Sequence, residues 1–200
     1  APQSARLVAR FGYRAVMSTG LFVVALSLFL LAHLEETTAL WAVLSGFFLF
    51  GLGMGCVIAP GSTVLQNVLP LARAGAGSAV QNTVRQVGGA LGIAIIGTIL
   101  ANQYASTVST ALSSLPTQFP QAAKDAASQS LVASVGVIEQ GVAHGLPQTM
   151  ADQLREGAYA AFISASHVTS YVSFAIILVA GLIVLFLLPR IQPPSAKSVA

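Results

Sequence analysis

From Gly157 to Pro189 the chain carries no Asp, Glu, Lys or Arg, and the latter part of this run, YVSFAIILVAGLIVLFLLP, is almost wholly apolar. A bilayer's hydrocarbon core, about 30 Å thick, is crossed by roughly 20 helical residues, so this run alone is long enough to span. Three more uncharged runs cover Ala15–Leu34, Thr37–Ala72 and Gln86–Ala123. In lipid every backbone N–H and C=O needs an internal partner, which makes such runs helices. The pattern predicts an all-α integral membrane protein with four transmembrane helices, at about 15–34, 40–66, 75–103 and 160–189. Composition agrees: 8% of the 200 residues are charged, against about 25% in soluble domains. That excludes an ordinary water-soluble globule, and the apolar content excludes disorder. One cysteine, Cys56, excludes a disulfide-stapled module.

The charges set an orientation. Arg6, Arg10, Arg14, Arg73, Arg85, Arg190 and Lys197 fall on one side of the spans, with no acidic residue among them. Glu35, Glu36, Lys124, Asp125, Glu139, Asp152, Arg155 and Glu156 fall on the other. Basic residues stay cytoplasmic, so both termini are expected inside and a loop at about 104–157 outside. The net charge of +3 forms no patch, which argues against nucleic acid as a partner; the expected partners are the lipid bilayer and a small-molecule substrate. The opening basic segment reads as a loop between helices, and the chain is expected to belong to a larger polypeptide. The long loop, rich in Ala, Ser and Gln, is expected to carry one or two amphipathic helices on the outer face, as a connector or as a gating or partner-binding element.

Catalytic chemistry finds no footing. No acidic residue lies within the four spans, and His33, His144 and His167 are isolated at helix ends or in the loop. No metal-ligand spacing, phosphate loop or nucleophile–base pair is present. The expectation is no enzyme, no metal and no cofactor.

The informative segment is GAGSAVQNTVRQVGGALGIAIIG, Gly75–Gly97. On a helix, Ser78, Gln81, Asn82, Arg85, Gly89 and Gly92 share one face at i, i+3, i+4 spacing. Gln81, Asn82, Arg85 and Gln86 are therefore candidate cavity-lining residues. Two readings of Arg85 are open. If the helix enters lipid near Gly75, Arg85 is an intramembrane charge and marks a function; if only residues 86–103 span, it snorkels at the interface. Gly88-x-x-x-Gly92 and Gly51-x-x-x-Gly55 have the spacing of close helix packing. Pro60 removes a backbone hydrogen bond, so the second span reads as packed, as a hinge, or as both. Cys56, among glycines, reads as a small packing residue.

The stretch from Pro60 through Leu69-Pro70 to AGAGSAVQNTVRQVGGALGIAIIGTIL resembles the major facilitator superfamily, most of all its fourteen-helix drug:proton antiporter branch of EmrB/QacA-type efflux transporters. A G-x-x-S-A-x-x-N-x-x-R-Q-x-G-G-A-x-G segment opens the penultimate helix there; here it reads Gly77, Ser78, Ala79, Asn82, Arg85, Gln86, Gly88, Gly89, Ala90 and Gly92. RLVARFGYR resembles a degenerate copy of the family's basic cytoplasmic loop, with Arg10, Gly12 and Arg14 in place and Ala9 where the acidic residue would stand. The resemblance implies the last four helices of such a protein, part of its C-terminal bundle. It also implies a missing N-terminal half of the same polypeptide, residence in the cell membrane, and efflux of hydrophobic or cationic compounds driven by a proton gradient. A permease for another small solute, or a self-contained four-helix scaffold or accessory subunit, are the alternatives.

Overall fold

The computed structural model describes residues 2–35, 38–68, 70, 74–113 and 121–189. Their order is α1 (Pro2–Leu31), α2 (Leu40–Val68), α3 (Ala74–Ser113), α4 (Gln121–Gln129), α5 (Leu131–Ala143) and α6 (Gln148–Leu187). α1, α2, α3 and α6 are each long and apolar enough to cross a membrane. The all-helical, four-span reading of the sequence is therefore what the chain adopts.

Three boundaries differ from expectation, the first at α1, which begins at Pro2 rather than near 15, so the opening basic segment is helix rather than loop. α3 continues to Ser113 rather than ending near 103, and α6 begins at Gln148 rather than near 160. Much of the expected loop at 104–157 is thus helix, and MADQLREGAYAAF is the opening of α6, not a separate surface helix. A 40-residue helix is about 60 Å long at 1.5 Å per residue, twice the thickness of a hydrocarbon core. Hydrophobicity counts only the part in lipid, so it misses the watery extension.

α1, α2, α3 up to Gly92 and α6 from Tyr171 form one compact unit. Within it α1 is kinked at Gly12, whose φ of 79° and ψ of 161° suit only glycine. The basic stretch before the kink is thereby helical in its own right. Beyond the kink α1 runs antiparallel to α2, and glycines set their distance. A Cβ on Gly53 would lie 2.7 Å from the Gly20 carbonyl oxygen and 2.7 Å from Val24 Cγ2. A Cβ on Gly46 would lie 2.8 Å from Leu31 Cδ2. The buried Ser27 hydroxyl donates to the Gly46 carbonyl at 2.7 Å, across the same interface. α6 lies along α1 at Gly181, which faces Phe22 and Leu21.

The second unit contains α3 from Ile93, α4, α5, α6 up to Ser170, and Leu34. Its core is a seam on α6, Ala151, Leu154, Ala158, Ala161 and Ala165, closed by Tyr104 and Val108 of α3, Ala127 of α4 and Ile138 of α5. The α6 positions alternate by three and four residues, the spacing that keeps one helix face on a partner, and alanine permits a close approach. Ser130 caps α5 by accepting from the Ala133 N–H. The buried Ser134 hydroxyl donates to the Ala127 carbonyl, which leaves the Tyr104 hydroxyl to donate to Ser134 Oγ at 2.6 Å. This segment has a core and a satisfied polar network of its own.

Candidate functional site

In an apolar helix a hydroxyl can satisfy itself by folding back on its own turn. Ser45, Thr63, Thr83 and Thr98 all do so, each donating to a carbonyl three or four residues earlier. Among the described side chains of α2 and of α3 up to Ala101, the other polar groups gather at one location. Gln81 Nε2 donates to Ser62 Oγ at 2.9 Å, joining α3 to α2. Arg85 Nη2 donates to Asn82 Oδ1 at 2.9 Å, one turn along α3. Gln86 lies beside them, exposed. At 100° per residue, Ser78, Gln81, Asn82, Arg85 and Gln86 fall within less than half the helix circumference, opposite Val80, Val87 and Leu91.

Between Ala74 and Gln103 no residue of α3 is buried. The face continues past Arg85 onto Gly88, Gly89 and Gly92, where an added Cβ would meet nothing within 4 Å. Among the described residues, Gly88-x-x-x-Gly92 therefore makes no helix contact. The same holds for Gly51 and Gly55, which also face open space. Close contact on α2 is made at Gly53 and Gly46 instead. Gly53 sits about 200° around the helix from either neighbour in the series, and seven residues from Gly46, so those two share a face. α2 runs as one helix through Pro60; with no N–H on Pro60, the Cys56 carbonyl lacks its usual helical partner.

The remaining sequence candidates are distributed elsewhere. Arg10 is exposed with its guanidinium 5.5 Å from the Phe11 ring centre, Gly12 makes the kink, and Arg14 is half-buried. Beside them Leu7, Phe11, Ala15, Val16, Thr19 and Cys56 line an apolar cavity of about 270 Å³. Cys56 thus serves as packing, with its Cβ close against Gly20. His33 donates from Nδ1 to the Phe29 carbonyl at 2.8 Å, capping the end of α1, and its Nε2 accepts from the Tyr171 hydroxyl at 3.2 Å. His167 donates to the Leu34 carbonyl at 2.6 Å. Both tie down the C-terminal end of α1; His167 itself lies in the middle of α6, not near a helix end as the sequence suggests. Among the described residues no three His, Cys, Asp or Glu side chains gather as a metal site.

Helix spacing alone places Gln81, Asn82, Arg85 and Gln86 on one face of α3, whereas nothing in that spacing points to Ser62. Its only signal was a hydroxyl placed just after Pro60-Gly61, nineteen residues from its partner.

Comparison with known proteins bears on what such a face is for. Residues 1–117 match the family model of the Major Facilitator Superfamily. The tetracenomycin C resistance and export protein of Streptomyces glaucescens is 30% identical over 93% of this chain and 34% of its own length. The multidrug efflux pump LfrA of Mycolicibacterium smegmatis is 29% identical over 88% of this chain and 33% of its own length. A puromycin resistance protein of Streptomyces alboniger is 39% identical over 48% of this chain and 20% of its own length. The chain spans about a third of the length of the first two.

Proposed function

From the premise that this chain belongs to the Major Facilitator Superfamily, we propose that it is the C-terminal part of an exporter of hydrophobic compounds, drugs among them, driven by a proton gradient. The observation that carries the reading is the uncovered polar face of α3. Gln81, Asn82, Arg85 and Gln86 present amide and guanidinium groups from a part of α3 that is mainly apolar up to Ala101. Such a face cannot lie against lipid tails cheaply, so it lines a water-filled path or meets other helices of the full-length protein. The apolar stretch of α3 ends at Ala101, before Asn102 and Gln103. Arg85 lies sixteen residues before Ala101, about 24 Å along the axis, within the span of one hydrocarbon core and nearer its basic side. The residues around Arg85 would form the inner half of the path.

Charge segregation supports both termini on the cytoplasmic side of the cell membrane. The same charge signal would put residues 104–157 on the outer side. The names of the relatives, export and resistance proteins, support efflux as the direction. The glycine contacts between α1 and α2 would hold these helices as a rigid pair, while the missing backbone bond at Pro60 gives α2 a soft point near Ser62.

The test is Arg85→Ala in the full-length protein. The expected result is a loss of drug resistance in cells at unchanged protein abundance. Unchanged resistance at equal abundance would refute the role of this face.

A further inference from the structure

Donors outnumber acceptors on the α3 face, and this says what it can hold. Arg85 has five N–H donors and no acceptor; one is used on Asn82. Because that bond occupies the Asn82 oxygen, the Asn82 amide presents N–H groups outward. Ser62 Oγ accepts from Gln81, which leaves the Ser62 hydroxyl proton to donate. No Asp or Glu occurs from Thr37 to Ala123, so nothing on α2 or α3 neutralises the guanidinium. One turn further on, Gly88, Gly89 and Gly92 present bare backbone, with open space where side chains would stand.

We propose that Ser62, Asn82 and Arg85 form a binding site for a planar aromatic ligand bearing an oxygen anion, a phenolate or carboxylate. The anion sits on the Arg85 and Asn82 donors and the ring lies against the glycine surface. An intramembrane arginine is stabilised by an opposite charge, and guanidinium forks suit carboxylate-like oxygens. A cationic ligand placed here would face the fixed like charge of Arg85. This assignment rests on the transport reading above and refines it: the site selects oxygen acceptors rather than positive charge. Ser62 is its positioning residue, holding Gln81 and with it the register of α3 against α2.

The experiment uses the full-length protein in inside-out vesicles with an imposed proton gradient, and two planar dyes, fluorescein as the anion and ethidium as the permanent cation. Loss of a hydrogen-bonded charge costs about tenfold or more in affinity. Arg85→Gln is therefore expected to raise the half-saturating fluorescein concentration by that factor and to shift the fluorescein-to-ethidium ratio of transport efficiencies towards ethidium. Arg85→Lys, which keeps the charge, is expected to hold the ratio closer to wild type. Ser62→Ala is expected to raise the fluorescein half-saturating concentration, and Ser62→Thr to restore it. An unchanged ratio in Arg85→Gln overturns the assignment. So does a parallel loss of both dyes at equal protein abundance, which would place the anion on a carboxylate of the protein itself. A wild-type protein that moves neither dye overturns the transport reading, and this proposal with it.

Discussion

Substituting Gly53 by alanine tests the α1–α2 contact with the smallest available change. The added methyl would start 2.7 Å from the Gly20 carbonyl oxygen, 2.7 Å from Val24 Cγ2 and 3.0 Å from the Val24 nitrogen, whereas ordinary contact begins at 3.4 Å. Two of these three atoms are backbone, so no side-chain rotation relieves the clash. The helices must separate by about 0.7 Å, the difference between 2.7 and 3.4 Å. That movement would stretch the bond from Ser27 to the Gly46 carbonyl, now 2.7 Å. Overpacking of this kind costs about 1–3 kcal/mol, and a weakened interhelical hydrogen bond in a membrane adds about 0.6 kcal/mol. The better helix propensity of alanine returns at most about 1 kcal/mol. The net loss is about 0.6–2.6 kcal/mol. Gly51→Ala and Gly55→Ala, with nothing within 4 Å, carry no such cost and serve as controls. In the purified full-length protein, thermal unfolding followed by loss of the monodisperse peak should place Gly53→Ala below wild type and both controls near it. Equal melting of all four proteins, or a Gly51→Ala as destabilised as Gly53→Ala, would refute the contact geometry.

Three further outcomes follow from the same structure. Tyr104→Phe removes the donor to Ser134 while leaving Ser134 bound to Ala127; the loss is about 1 kcal/mol, seen as faster amide exchange in α4 and α5 with α1 and α2 unaffected. Gly12→Ala forces a side chain into a φ of 79°, at a cost of about 1–3 kcal/mol, read as lower thermal stability of the full-length protein. Ala158→Leu overfills the α6 seam, where Ala158 is 1% exposed, costing about 1–3 kcal/mol; protease sensitivity of α5 should rise.

The four spans were legible because lipid imposes a crude rule, and uncharged runs of sufficient length obey it whatever their neighbours. The polar face of α3 was legible for a similar reason: Gln81, Asn82 and Arg85 lie within one helix, where spacing alone fixes their side. Contacts between helices were not. Gly46, Gly51, Gly53 and Gly55 offer more than one face for packing, and only Gly20 on α1, opposite Gly53, decides which is used. Ser62 was hidden because its partner lies on another helix. The second unit was hidden by composition. Its seam is mostly alanine, which carries little hydrophobic signal, so a segment with a core read as a loop carrying one or two amphipathic helices. The 3–4 alternation from Ala151 to Ala165 was present in the sequence, and polar residues between those positions masked it.

The proposed solute path runs along the polar side of α3. It is tested most directly by thiol accessibility in the full-length protein carrying Cys56→Ser, with single cysteines placed at Asn82 and, on the opposite side of α3, at Val87. A membrane-impermeant thiol reagent applied from the cytoplasmic side should modify the cysteine at 82 and spare the one at 87, and a transported drug should slow the reaction at 82. An unreactive cysteine at 82, or equal reaction at both positions, would contradict the claim.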